Sequence, residues 1–156
     1  MTRNGSTLAA TVGRGVLASV AGTAVMTAFQ KLVEMPLTGR DDSYAPADFA
    51  TKVLPVNPGS PRQRTQLNYV THFALGAMWG GANAVAARSG LRGQRAVLTV
   101  FGTVYSADVA LNTALGLYRP WTWSAQDWVI DVGEKFIQAA ATGAVFDHIM
   151  QPSTTT

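Results

Sequence analysis

Residues 65–87 contain no Asp, Glu, Lys or Arg, and residues 96–118 contain only Asp108. With the apolar stretches on either side, they predict helices at about 12–37, 66–87, 95–117 and 126–150. The middle two are each about 22 residues, which at about 1.5 Å of rise per residue spans a hydrocarbon layer about 30 Å thick. The polar exceptions restrict the arrangement further. Lys31, Glu34, His72, Asp108, Asp131, Glu134 and Lys135 all fall in the half of their segment nearest the first and third loops. Antiparallel spans alternate in direction, so late in segments one and three and early in two and four is one level. The expected fold is therefore all-α: a four-helix transmembrane bundle making one integral-membrane domain over residues 1–156.

Composition supports that reading and removes several chemistries. Charged residues make up 13% of the chain, against about 25% in ordinary soluble domains. Mean hydropathy is only +0.12, because polar residues crowd the termini and the first loop. There is no Cys, which excludes disulfides, thiolate metal sites and cysteine nucleophiles. The net charge of +3 and the cluster Arg88, Arg92 and Arg95 suit a cytoplasmic turn, not nucleic acid, since no aromatic-studded basic surface accompanies them. The basic residues of the two sides tie, and the short arginine-rich second turn favours both termini in the cytoplasm; Arg3 and Arg14 belong to that side. Arg14 also argues against a cleaved signal peptide. No phosphate-binding loop, dinucleotide fingerprint, nucleophile elbow or zinc-protease motif occurs. No catalytic residue, metal site or cofactor is expected, and His72 and His148 fall toward opposite faces, against a bis-histidine haem.

The first loop, about 38–65, predicts a short amphipathic helix at about 45–54. Ser43 reads as its cap, and Phe49, Val53 and Leu54 as its apolar side, roofing the bundle where the polar residues gather. Residues 55–61 read as an extended proline-rich linker, and the tail 151–156 as disordered.

On a helical wheel Asp131, Glu134, Lys135 and Gln138 share one face of the fourth segment. Thr23, Thr27, Gln30 and Glu34 do so in the first, with Lys31 beside them; Asp108 and Asn112 are four apart in the third. Counting inward, Asp108 lies about 14 Å and Glu134 about 12 Å from the loop side, too deep for a carboxylate to reach water by bending. Four carboxylates face two lysines and one histidine, so at least one acid must take up a proton or recruit a cation. The candidate pocket is Lys31, Glu34, His72, Asp108, Asn112, Asp131, Glu134 and Lys135, handling a proton, a cation or a small polar solute. Two structural alternatives stand beside it. Lys31 with Glu34, and Asp131 with Lys135, are spaced to pair within a helix and hold the bundle in register. The chain could also be an accessory or assembly subunit that packs through Gly and Ala faces as a homo-oligomer or against a partner membrane protein. Gly76 and Gly80 form a G-x-x-x-G on the side of His72, and Trp121, Trp123 and Trp128 with Tyr118 read as an aromatic belt.

The run Gly22-Thr23-Ala24-Val25-Met26-Thr27-Ala28, then Tyr44-x-Pro46, then His72-Phe73-x-Leu75-Gly76-x-x-x-Gly80, resembles the YagU-like group of small bacterial membrane proteins. Leu115-Gly116-Leu117-x-x-Pro120 is similar to that group's third exit loop, and the resemblance covers about residues 15–146. It implies a four-span inner-membrane protein without a defined activity. Where that pattern tends to carry a further histidine in the fourth span, this chain has Asp131-Val132-Gly133-Glu134-Lys135, so no histidine chemistry or catalytic assignment carries over.

Overall fold

Helix ends here are set by local capping chemistry, and several differ from the expected bounds for that reason. The computed structural model describes residues 7–150; the expectations for Arg3 and for 151–156 lie outside them. Helix α1, Leu8–Thr38, begins before the expected residue 12 because the Thr7 hydroxyl accepts the Ala10 N–H, satisfying one of the free donors of the first turn. A wide π turn interrupts it at Gln30–Glu34. Gly39, at φ 69°, ends it in a conformation that glycine adopts without strain.

Helix α2, Ala45–Val53, is the short helix of the first loop, and Leu54 has already left it in extended conformation. Ser43 accepts the Ala45 N–H at 3.3 Å, but Tyr44 occupies the cap position and makes no side-chain capping bond. Helix α3, Pro61–Arg88, starts earlier than the expected residue 66. Pro61 opens the helix instead of closing the linker, because a first-turn residue needs no N–H partner, and Ser60 caps it by accepting from Gln63. Helix α4, Gly93–Ala114, stops short of residue 117. There the Leu117 and Tyr118 N–H groups both turn back to the Asn112 carbonyl, around Gly116 at φ 74°. After a short 3-10 turn at Pro120–Thr122 comes α5, Ala125–Met150. It opens with a reciprocal cap in which the Asp127 N–H donates to the Ser124 hydroxyl and the Ser124 N–H to the Asp127 carboxylate.

Paired residues give the threading. Against α1, Gly15 meets Gly80 and Thr23 meets Gly76 on α3, while Arg14 reaches Met150 and Thr23 reaches Gln138 on α5. Between α4 and α5, Gly93 contacts Asp147 and Tyr105 contacts Asp131. Ascending numbers on one helix meet descending numbers on the next in each case, so the four long helices run alternately down and up. Helix α1 packs on α3 and α5, and α4 closes the ring by packing on the same two. A methyl group at Gly15 or Gly80 would strike the other's carbonyl, and one at Gly22 would strike Thr142. These glycines let backbones approach to near contact.

The long helices expose many large apolar side chains and bury several small polar ones. Leu17, Val70 and Leu98 are 66%, 69% and 59% exposed, while Ser19, Thr23 and Thr142 have no accessible surface. The interior is largely alanine, glycine and small polar side chains, with Met26, Trp79, Gln138 and Phe146 among its large members. Among the described residues one helix, α1, is long and apolar enough to cross a membrane by length and composition. Of the other long helices, α4 carries Asp108 and Asn112, and α5 carries Asp131, Glu134, Lys135 and Gln138, within their apolar runs.

Candidate functional site

Helix α2 and the loop before it roof the bundle as a lid, and Asn68 of α3 ties it down with two hydrogen bonds. The Asn68 side-chain oxygen accepts the Ala47 N–H and its amide donates to the Ser43 carbonyl, both at 3.0 Å, so an exposed loop backbone gains two partners from one side chain. Tyr44 adds a 3.1 Å bond to Thr65, and the Arg64 guanidinium lies over the Tyr44 ring at 4.4 Å while bonding Asp48. The buried side of α2 is consequently Ala47 and Ala50. Val53 and Leu54, expected beside Phe49 on one apolar face, are exposed, while Phe49 lines the space beneath.

That space is a cavity of about 400 Å³ between the lid and the four long helices. Seven of the eight residues singled out from the sequence line it: Lys31, His72, Asp108, Asn112, Asp131, Glu134 and Lys135. Glu34 does not. It is buried beside the cavity, where its carboxylate accepts from the Thr38 hydroxyl at 2.8 Å and pairs with Arg40 at 3.5 Å. The π turn accounts for this, because an extra residue in the turn shifts the facing of everything after it, and a 3.6-residue wheel drawn through it misplaces residue 34.

The pairing inside helices that the spacing allowed is not what forms. Lys31 pairs with Asp42 of the first loop, Glu34 with Arg40, and Asp131 accepts the Tyr105 hydroxyl from α4 at 2.8 Å. Asp108 accepts the Asn112 amide at 3.0 Å on one oxygen. Its other oxygen, and one oxygen of Glu134, are buried without a hydrogen-bond partner. Among the described residues Lys135 makes no ion pair, so once Lys31 and Arg40 are taken by Asp42 and Glu34, one lysine faces Asp108, Asp131 and Glu134.

His72 is held by Thr27, whose hydroxyl lies 3.0 Å from Nε2. The Thr27 proton is committed to the Thr23 carbonyl at 2.8 Å, so the hydroxyl accepts from His72 Nε2–H, and Nδ1 is left as the acceptor. At the mouth, Tyr118, Trp123 and Trp128 pack edge to face, with centroids 5.4 and 4.8 Å apart. Tyr118 lines the cavity, and burial, with Asp108 and Asp131 adding to it, pushes its phenol above the ordinary range. Trp121 stands apart at the surface.

Tyr105, Arg40, Asp42 and Asn68 do as much to shape this site as the residues expected from sequence. Tyr105 precedes Asp108 by one helical turn and Asn68 precedes His72 by one, which was the signal that could have found both. No family model matches the chain, and no curated protein or solved structure is similar enough to match it, so the geometry carries the functional argument.

Proposed function

We propose that this chain is a four-span protein of the bacterial inner membrane whose lidded vestibule takes up a proton, a cation or a small polar solute. The observation that carries the reading is a buried carboxylate oxygen without a hydrogen-bond partner on each of Asp108 and Glu134, two residues that line the cavity. Buried acceptors are ordinarily satisfied, and a carboxylate inside a membrane needs a proton, a cation or water. The many exposed leucines and valines, with threonines buried between helices, support lipid around the bundle. The similarity of the Gly22–Ala28 and His72–Gly80 runs to the YagU-like group is in keeping with this topology. Asp108, Asp131 and Glu134 supply the anionic lining, Lys135 offsets part of it, and His72 stands below the lid.

Reconstitution into proteoliposomes tests the reading: a proton or monovalent-cation leak that Asp108→Asn and Glu134→Gln abolish is the expected result. Liposomes as tight with the wild-type chain as without it count against the vestibule. The second reading, an accessory or assembly subunit, draws support from Gly102 and Gly133, which face open space on the outer sides of α4 and α5. It requires stoichiometric co-purification with a membrane partner and indifference to Asp108→Asn.

A further inference from the structure

The cavity is not confined to the space under the lid. Helices α3 and α4 pack on each other through Trp79, Ala86, Ala96 and Val100 in their lower halves and leave a cleft above, whose lining includes Met78, Thr103, Ala107 and Leu111. All four are also exposed on the outer surface, so the cavity opens sideways. Thr103 lies about 16 Å below the end of α4 at a rise of about 1.5 Å per residue, which is mid-bilayer for a helix of this length.

We infer that the site takes an amphiphilic organic amine, admitted through this cleft from the lipid, with its ammonium between Asp108 and Glu134 and its apolar body along α3 and α4. This rests on the vestibule reading and names the class of ligand. Three features of the site select it. At the head position three acids, Asp108, Asp131 and Glu134, outnumber Lys135, the one lysine there without an ion pair among the described residues, and an ammonium brings both charge and donors to them. The walls away from the acids are apolar, built by Phe49, Leu75, Met78, Trp79 and Leu111. At about 400 Å³ the space is far larger than a bare ion and of the size that encloses a small organic molecule; among the described residues no cluster of three or more side chains is arranged to ligate a metal.

The test uses the full chain in lipid nanodiscs and three fluorescent probes sharing one body: dansylcadaverine, its N-acetylated neutral form, and dansyl-aminohexanoate. The expected result is a saturable fluorescence rise with the amine alone. Asp108→Asn combined with Glu134→Gln should weaken it by about tenfold or more, as loss of a charged hydrogen-bond partner does. Ala107→Trp, at an exposed position on the cleft, should abolish it by filling the cleft. Equal binding of all three heads, no saturable binding of the amine, or indifference to both variants overturns the inference. If the Asp108-dependent leak persists in any of those cases, the vestibule stands and only the ligand class falls; if the leak is absent as well, both fall.

Discussion

Among the described residues, the Tyr105 hydroxyl makes the one direct hydrogen bond between α4 and α5 at the level of the acids. Tyr105→Phe removes it while keeping the ring that stacks on Phe101, leaving a half-buried carboxylate short of a donor. Loss of about 1–3 kcal/mol is expected, read as a lower unfolding temperature in detergent, and Asp131→Asn on that background should restore part of it. An unchanged melting temperature in Tyr105→Phe would mean that water already serves Asp131. That Asp108, Asp131 and Glu134 gather at one cavity was legible in the sequence, because period and direction place them; the placing of Glu34 was not, since the π turn breaks the period. Their partners were not: Asp42, Arg40 and Tyr105 come from other elements, and one-helix spacing offered Lys31–Glu34 and Asp131–Lys135 instead.

At the level of elements, G-x-x-x-G identified Gly76 and Gly80 as a close-approach face, but nothing in the sequence said that Gly15 and Thr23 of α1 are what approach. Gly80→Ala is expected to cost about 1–3 kcal/mol by forcing α1 away, whereas Gly81→Ala, with open space around it, should leave the melting temperature unchanged or raise it. Equal behaviour of the two variants would contradict the α1–α3 contact. Lid attachment is separable from bundle stability. Asn68→Ala removes two bonds at once, so trypsin should cut faster at Arg40 and Lys52 while the melt of the long helices moves little. Helix bounds were legible where apolar runs ended and illegible where a cap decided them, as Thr7, Ser60 and Gly116 show.

Taken whole, the molecule exposes leucines and valines along its long helices and buries serine and threonine between them, which suits the proposed lipid surroundings. The chain should sediment with membranes and require detergent for extraction. Because it has no cysteine, single substitutions can report on surroundings without background. Val25→Cys and Val70→Cys are expected to resist a water-soluble maleimide, and Asp42→Cys to react quickly. Rapid labelling at all three, with recovery in the supernatant, would place the bundle in water. The wide turn at Gln30–Glu34 has a consequence at this scale too. It works as a phase slip in α1: below it the helix presents glycine and threonine to its neighbours, and above it the same rod turns Glu34 away from the hollow and toward Arg40. Deleting one residue there would restore a uniform pitch and swing the top of α1 round by about a quarter turn or more. The loop would then lose both ionic anchorages on α1 in a single step, though no charged residue had been changed.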